Sequence, residues 1–169
     1  MNSEFVSPEQ DLAHAFKQAM RRLAASVTII TTTNSDGEPV GMTATAVTSL
    51  SAEPPSLLAC VNRSASIHSS FSVGRRFCVN LLGQNHSDLS FAFGGKVGPS
   101  ERFGHGDWVH AEVPYLADAQ VNFACMVDGM FDYGTHSIIV GRLDGIRLAG
   151  EFGPLVYGDG RFITTSIAA

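Results

Sequence analysis

The spacing of hydrophobic residues changes once along the chain, shortly after Leu23. Between Pro8 and Leu23 these residues recur every three or four positions, which is the period of an amphipathic helix. Ser7 as N-cap and Pro8 at the first helical position are typical of a helix start. From Val27 onward, short runs rich in β-branched residues alternate with turn residues, as in strands. The pattern therefore predicts one N-terminal helix followed by a mainly β fold.

The later part of the chain divides into a series of predicted strands. Asn34–Gly37 is a cluster of turn residues, so the runs on either side of it are expected to form a hairpin. Because the runs follow one another with few helices and no βαβ alternation, an antiparallel barrel or sandwich is expected. The predicted strands are Val27–Thr33, Pro39–Thr43, Ser56–Val61, Arg76–Leu82, Gln120–Phe131, Ser137–Leu148, Leu155–Tyr157 and Arg161–Thr164.

The segments between the central strands predict little helix. Ser66–Val73 is expected to be a short helix ended by Gly74, and Asn85–Phe93 a second one followed by a glycine pair. Gly95–Asp107 is polar, rich in glycine and without periodicity, so a mobile loop is expected there. Since no repeat or linker interrupts this order, residues 1–169 are predicted to form a single domain.

Composition narrows the classes of protein. The chain has 169 residues, of which 44% are hydrophobic and 16% charged, with a net charge of −5. An acidic chain without a run of Lys or Arg has no electrostatic footprint for nucleic acid or for anionic membranes. So few charged residues on a small protein indicate that part of its surface is covered, and a homodimer is the commonest way to cover it.

Motifs for metal and P-loop chemistry are absent from the sequence. It has no HExxH, CxxC, GxxxxGK[ST] or GxSxG, so no metal site is predicted, although a dispersed Ser/His/Asp triad stays open. Its three cysteines, Cys60, Cys78 and Cys125, each lie in an apolar run and are predicted to be buried thiols. Scattered thiols fit a reducing compartment, and the acidic N-terminal stretch differs from a secretion signal, so we expect a cytoplasmic protein.

The most informative stretch is GMTATAVTSLSAEPP, residues 41–55. Its small and hydroxyl side chains would allow a flat aromatic ring system to lie close to an extended backbone. Exposed N–H and C=O groups would then pair with the edge of the ring and stabilise its electron-rich form. A Thr-rich edge strand that runs into a loop is the plainer interpretation of the same composition.

Two further stretches offer groups that suit a bound anion. Asn62, Ser64 and Ser66 supply short donors at the expected start of a helix, which is a favourable place for a phosphate. The alternative is that they only cap the helix. Lys96 and Arg102 add positive charge on the glycine-rich loop, where they would either close on a phosphate or remain solvated.

A histidine follows a tight turn in the last third of the chain. Gly134 marks the turn, and His136 is expected at the start of the strand after it. At the mouth of a barrel this imidazole would contact a second ligand, whereas a surface or turn role is the more frequent one for a histidine in this place.

The order and spacing of these segments resemble the flavin reductase family with an FMN-binding split barrel, the small reductase components of two-component flavin-dependent monooxygenases. The resemblance extends from about Phe16 to about Phe162, nearly the whole chain. Each motif alone is loose, but the ordered set is specific. The matching segments are ASVTIITT, GMTATAVTSLSAEPP, LLACVNRSASIH, FCVNLL, the RF after the glycine-rich loop, and GTHSIIVGRL.

The resemblance implies a mainly β fold, an antiparallel six-stranded Greek-key split β-barrel with flanking short helices, assembled as a homodimer with flavin near the interface. It implies an NAD(P)H-dependent flavin reductase that transfers hydride from nicotinamide to FMN or FAD and supplies reduced flavin to a separate monooxygenase. NADH is favoured, because no additional arginine for the 2′-phosphate of NADPH is identified. A flavin-binding oxidase of the pyridoxamine-phosphate-oxidase type, a non-catalytic ligand-binding β-barrel and a purely structural homodimer remain as alternatives.

The resemblance also implies roles for individual residues. His136 would be the catalytic residue on the nicotinamide side, although the family commonly has Asp at the position of Thr135. The residues implied to line the flavin ring and its ribityl chain are Thr43, Ala44, Thr45, Ala46, Thr48 and Ser49. The residues implied to hold phosphate are Asn62, Ser64, Ser66, Lys96 and Arg102.

Overall fold

The structure is a computed structural model and describes residues 11–150 and 152–164. A helix precedes the strands, α1 (Leu12–Met20), and a short one lies between them, α2 (Ser87–Phe91). The strands are β1 (Ala25–Ser26), β2 (Thr28–Thr33), β3 (Pro39–Ala44), β4 (Val47–Ala52), β5 (Pro55–Asn62), β6 (Arg76–Leu81), β7 (Trp108–Val109), β8 (Tyr115–Leu116), β9 (Val121–Tyr133), β10 (His136–Leu148), β11 (Val156–Gly158) and β12 (Arg161–Ile163).

Seven of these strands form one antiparallel sheet in the order β3-β2-β6-β9-β10-β5-β4. Three hairpins make up most of the sheet: β2–β3, β4–β5 and β9–β10. After β5 the chain crosses the sheet to β6, which pairs with β9. The two edge strands, β3 and β4, share no ladder, yet Ala44 and Val47 from these strands pack into the same core. The sheet therefore curls into a Greek-key barrel that is split between β3 and β4, which confirms the predicted fold class.

Successive side chains along the strands point to opposite faces of the sheet and pack into two separate hydrophobic cores. Ile30 of β2 and Phe77 of β6 point into the barrel, where they pack with other buried residues of the sheet. Ile29 points to the opposite face and packs with a second cluster outside the barrel. In that cluster Phe93 and Trp108 have ring centroids 5.1 Å apart. The outer cluster fixes the segment after β6 against the barrel, beside β3.

A buried asparagine ties this outer layer to the sheet. Asn80 of β6 is fully buried, and its amide nitrogen donates to Ile29 O at 2.9 Å and to Thr31 Oγ1 at 3.1 Å. Its amide oxygen accepts from Leu116 N–H at 2.9 Å and from Asn122 Nδ2 at 2.9 Å. Every hydrogen-bonding atom of this amide is in use, so it stabilises the join between β2, β6, β8 and β9.

The N-terminal helix is shorter than predicted at its described end. It begins at Leu12, because Asp11 accepts a hydrogen bond from His14 N–H at 3.0 Å and acts as the N-cap. The predicted start at Ser7 and Pro8 lies outside the described residues. The helix ends at Met20 rather than at Leu23. None of its side chains is buried, so its apolar face has no partner within the described chain.

One of the two helices predicted between the central strands is wrong. Ser66–Val73 contains only a 3₁₀ turn, His68–Ser70, because Ile67 and Phe71 are drawn into the barrel core and the serines around them favour turns. The second predicted helix, Asn85–Phe93, agrees with the structure: a 3₁₀ turn (Gln84–His86) leads into α2, and helical geometry is lost at the glycine pair, where Gly95 has a φ of 109°.

The segment Gly95–Asp107 is not the irregular loop expected from its composition. It contains a 3₁₀ turn, Pro99–Gly104, and Phe103 packs on both Phe93 and Trp108 at centroid distances of 5.1 and 4.9 Å. Its mobility stays a prediction.

The predicted strands agree closely with those observed. The turn at Asn34–Gly37 is confirmed, and Asn34 Oδ1 accepts from the N–H groups of Asp36 and Glu38 at 2.9 and 2.8 Å. The sequence did not predict β1, β4, β7 and β8 as separate strands. Among the described residues, no helix has the length and apolar character needed to cross a membrane.

Candidate functional site

The segment with small side chains crosses the split in the barrel. Thr43 is half-buried at the end of β3, and its Oγ1 donates to Ser90 O at 2.7 Å. Ala44 packs in the barrel core, and its carbonyl accepts from Thr28 Oγ1 at 2.8 Å. Thr45 and Ala46 are exposed in the bend between the two edge strands. The backbone therefore leaves the barrel wall at Ala44 and becomes accessible immediately afterwards.

Thr48 and Ser49 continue this exposed edge along β4. With Ser51, Leu57 and Leu143, among others, they line a cavity of about 340 Å³ at the end of the barrel where β5 begins. Its walls are mainly aliphatic, with hydroxyl groups along the side formed by β4. An accessible strand edge next to an apolar cavity suits a ligand with a flat, largely apolar ring.

The structure brings Asn62, Ser64 and His136 together. Asn62 ends β5 and lies directly opposite His136, the first residue of β10, so the two side chains share one face of the sheet. Asn62 Oδ1 accepts from both the N–H and the Oγ of Ser64, each at 2.9 Å. Exposed Tyr133 is opposite His136 on its other side. The predicted histidine is therefore a neighbour of two of the three residues, Asn62 and Ser64, that were predicted for the phosphate loop at residues 62–66.

Thr135 stands where the family commonly has Asp, and its hydroxyl contacts His136. Thr135 Oγ1 is 2.9 Å from His136 Nδ1, and both residues are exposed at the β9–β10 turn. This hydroxyl orients the imidazole ring by a hydrogen bond. His136 is therefore held by a hydroxyl at the position where the family commonly has a carboxylate.

The two predicted cations lie on the outer layer beside β3. Arg102 Nη1 donates to Gly41 O at 2.7 Å, whereas its Nε is buried and has no hydrogen-bond partner among the described residues. Burial lowers the pKa of the Arg102 guanidinium from its ordinary value, although an arginine remains charged at neutral pH. Lys96 is exposed, with its Nζ 5.8 Å from the centroid of the Phe91 ring.

The predicted phosphate residues are not joined into one cluster by direct contacts. Within residues 11–150 and 152–164, no hydrogen bond or ion pair connects Lys96 or Arg102 to Asn62, Ser64 or Ser66. Ser66 is exposed at the start of the turn that replaces the predicted helix. The structure thus separates a loop at the end of β5 from a cationic segment beside β3.

The sequence profile of the flavin reductase like domain family matches residues 20–166. The chain belongs to this family. FMN reductase (NADH) RutF 1 of Methylorubrum extorquens is 38% identical over 154 residues, which is 90% of this chain and 76% of that protein. The reductase component of the FADH(2)-dependent resorcinol hydroxylase of Rhizobium sp. is 40% identical over 156 residues, which is 90% of this chain and 87% of that protein.

A solved structure of a flavin reductase gives the same fold. The NADH:FAD oxidoreductase SgcE6 of Streptomyces globisporus, in complex with NAD and FAD fragments, has a TM-score of 0.84 at 26% identity and covers 97% of this chain and 98% of its own. The split barrel described above is therefore the flavin reductase barrel.

The residues of this flavin reductase fit a flavin. The exposed backbone at Thr45 and Ala46 would receive the ring edge, and the unpartnered Nε of Arg102 is a cationic donor that a phosphate oxygen would satisfy. The Asn62–Ser64 turn offers further short donors at the end of β5.

Three side chains behind the β9–β10 turn of the flavin reductase were not among the predicted site residues. Ser137 Oγ donates to Asp132 Oδ1 at 2.5 Å and is 2.7 Å from His68 Nε2. A two-residue turn at Gly134 and Thr135 places residues 132 and 137 opposite each other, so the first contact had a local signal. The approach of His68 had no such signal, because that residue lies far away along the chain.

Two of the three thiols of the flavin reductase are buried. Cys78 and Cys125 are buried, and burial raises the pKa of each thiol to about 12, with smaller contributions at Cys125 from Cys78 and Asp144. The prediction of burial is wrong for Cys60, which is half-buried because its side chain lies on the face of β5 away from the core. A neutral buried thiol is a poor nucleophile, so Cys78 and Cys125 are expected to react slowly in the folded protein.

Proposed function

We propose that this chain is an NADH-dependent flavin reductase that passes reduced flavin to a separate monooxygenase. The observation that carries the proposal is the split between β3 and β4, which residues 43–49 cross in a chain that belongs to the flavin reductase family. The names of its relatives support both parts of the proposal, since one is an NADH-dependent FMN reductase and another a hydroxylase component.

The two edge strands supply the groups that would bind the ring. Each has a row of backbone N–H and C=O groups that no ladder uses on the side facing the split. Thr45, Ala46, Thr48 and Ser49 keep this edge open, because their small side chains do not cover the backbone. N–H donors placed there would stabilise the negative charge that the ring gains on reduction.

The chain itself needs no nucleophile for this reaction. NADH, oxidised flavin and one proton give NAD⁺ and reduced flavin, and the two electrons move together as hydride. When bound, the flavin supplies the acceptor ring. The chain binds and orients both ligands, and His136, exposed and held by Thr135, would contact the nicotinamide side.

The first experiment measures hydride transfer directly. Purified protein is mixed without oxygen with NADH or NADPH and with FMN or FAD, and the nicotinamide and flavin absorbance bands are followed together. We expect one flavin reduced for each NADH oxidised, faster with NADH than with NADPH, and no reaction with heat-unfolded protein. Flavin that stays bound while NADH is not consumed would instead indicate an oxidase. No flavin binding would indicate a different ligand.

The two segments predicted to hold phosphate, the loop at the end of β5 and the cationic segment beside β3, are tested together in one double variant. Ser66→Ala combined with Arg102→Ala should raise the flavin Kd tenfold or more, because hydrogen bonds to charged groups contribute about 1.5–3 kcal/mol each. The matched control is Ser69→Ala with Arg161→Ala, which removes the same side chains from other exposed positions. Equal Kd values for the two double variants would remove Ser66 and Arg102 from the site.

We also propose that two copies of the chain form a homodimer through α1. Leu12, Phe16 and Met20 recur at every fourth position of this helix and are exposed, with Phe16 at 61%. A helix with an apolar face and no buried side chain is stable when a partner covers that face. In sedimentation experiments we expect a dimer, weakened by Phe16→Glu and retained in the control Gln18→Glu. A monomer at all concentrations would contradict this proposal.

The cellular location of the protein is argued from its free thiols. We propose a cytoplasmic location, where free thiols such as Cys60, Cys78 and Cys125 stay reduced. Fractionation of the native cells with an antibody against the chain tests it, and recovery outside the cytoplasm would contradict it.

A further inference from the structure

A chain of hydrogen bonds lies directly behind the β9–β10 turn. Ser137 is fully buried, and its hydroxyl donates to Asp132 Oδ1, a contact of 2.5 Å. The only proton of this hydroxyl is thereby used, so at the second contact, 2.7 Å long, Ser137 accepts from His68 Nε2. The network therefore assigns the Nε2–H form to His68 and runs from His68 through Ser137 to Asp132.

The three residues belong to the segments that carry the candidate site. Asp132 and Ser137 are directly opposite each other on β9 and β10. The next pair towards the turn is Tyr133 and His136. His68 lies on the 3₁₀ turn that follows the phosphate loop at residues 62–66. The hydrogen bonds thus join the predicted nicotinamide side to the predicted phosphate loop.

Contacts of Arg63 reinforce this join. Its backbone N–H donates to Thr135 O at 2.9 Å, and its Nε is 3.9 Å from Asp132 Oδ2. Arg63 and Asp132 are both largely exposed, so their ion pair contributes little in water. The buried Ser137 hydroxyl is the better anchor, because water does not compete for its hydrogen bonds.

The hydrogen bonds of Ser137 affect the orientation of His136, because neighbouring side chains of β10 point to opposite faces of the sheet. Successive residues of a strand point to opposite faces, so Ser137 held inward directs its neighbour His136 outward. Asn62 shares that outward face, because it is opposite His136 across the ladder with β5. Loss of the inward anchor would let the β9–β10 turn and the phosphate loop move apart, without removing any group that is proposed to contact a ligand.

We propose that Asp132, Ser137 and His68 are positioning residues, which hold His136 at a fixed distance from the phosphate loop. They touch neither substrate, and the inference rests on the proposed function, which places nicotinamide at His136 and phosphate at the loop. A positioning role predicts weaker binding of both ligands with an unchanged chemical step.

Steady-state kinetics of Ser137→Ala provide the test. This variant breaks both hydrogen bonds, and we expect KM for NADH and Kd for flavin to rise about five- to tenfold, with kcat within about twofold. Ser69→Ala, an exposed serine on the same 3₁₀ turn, is the matched control and should match the unmodified protein. Ser137→Thr keeps a hydroxyl at this position and should retain most of the affinity for NADH and flavin. Unchanged KM and Kd in Ser137→Ala would overturn the proposal.

Substitutions of Asp132 separate the hydrogen bond from the charge. Asp132→Asn keeps an acceptor and should stay within about twofold of the unmodified protein, whereas Asp132→Ala should resemble Ser137→Ala. If Ser137→Ala does not fold, Asp132→Ala replaces it, because this position is exposed. An Asn variant as weak as the Ala variant would show that charge, and not the hydrogen-bond chain, matters.

A spectroscopic readout is independent of turnover. In long-range ¹H–¹⁵N spectra of histidine-labelled protein, with His68 assigned by His68→Gln, we expect the Nε2–H form and its loss in Ser137→Ala. An Nδ1–H form in the unmodified protein would overturn the network. If the unmodified protein does not oxidise NADH, the proposed function fails, while this spectrum still decides the hydrogen-bond chain.

Discussion

Gly141 lies so close to Phe77 that adding a single carbon at this glycine should change the free energy of unfolding measurably. A Cβ at Gly141 would lie 2.5 Å from Phe77 Cζ, 3.1 Å from its Cε1 and 3.2 Å from Leu57 Cδ1. Carbon atoms pack at about 3.5–4.0 Å, so the ring must move by about 1 Å. Phe77 is buried and packs edge-on against Phe71 at a centroid distance of 5.7 Å, which leaves the ring little room to move.

The expected magnitude follows from two opposing effects. Overpacking a filled core destabilises by about 1–3 kcal/mol. Replacing Gly by Ala stabilises by about 0.4–1 kcal/mol, because the unfolded chain has fewer conformations to lose. Gly141→Ala should therefore lower the free energy of unfolding by about 1–2 kcal/mol. Gly145→Ala, on the same strand with its nearest neighbour atom at 3.9 Å, should leave it unchanged or raise it.

Urea unfolding of both variants at one protein concentration measures the difference. With a slope of about 2 kcal/mol/M, the midpoints of Gly141→Ala and Gly145→Ala should differ by about 1 M. A fixed concentration matters, because a homodimer unfolds at a midpoint that depends on it. Midpoints within about 0.2 M of each other would refute the reasoning, since the Phe77 ring would then yield at no cost.

The other predictions concern a buried amide and the thiols. Asn80→Ala should lower the free energy of unfolding by about 2–4 kcal/mol in the same urea assay, because it leaves a buried N–H and a buried C=O without partners. Because the pKa values of Cys78 and Cys125 are raised to about 12, iodoacetamide at pH 8 should alkylate Cys60 first. The stability that the two neutral thiols provide is complete below their ordinary pKa of 9.0 and is lost as the pH rises towards about 12.

The matched controls for these predictions use the same chain. Asn85→Ala removes an exposed amide and should change the midpoint little. Cys60→Ser should remove the alkylation seen by mass spectrometry in the folded protein, while urea should expose the other thiols. Rapid labelling of Cys78 or Cys125 in the folded protein would contradict their burial.

Local patterns in the sequence were sufficient for most of the sheet. The Asn34–Gly37 turn is made by contacts within a few residues, so its composition already specifies the β2–β3 hairpin. The β-branched run of β2 and the apolar run of β6 predicted strands for the same reason. The ordered motifs resemble those of the flavin reductase family, and this resemblance, rather than the spacing itself, implied the split barrel.

Elements that depend on distant partners were missed or wrong. β1 is only two residues long and exists because it pairs with β11, more than a hundred positions later. The segment Ser66–Val73 had the composition of a short helix, yet burial of Ile67 and Phe71 in the barrel limits it to a 3₁₀ turn. The apolar face of α1 was predicted correctly, but the described chain offers no surface to cover it.

The candidate site shows the same division. The sequence by itself determined which residue types are present, their order, and the local geometry of the turns that hold them, because these depend on neighbours along the chain. Only the tertiary structure decided that Asn62 lies opposite His136, that Arg102 reaches Gly41 and that His68 meets Ser137. Strand register and barrel closure bring together residues far apart in sequence, and those contacts form only when the whole sheet packs around one core.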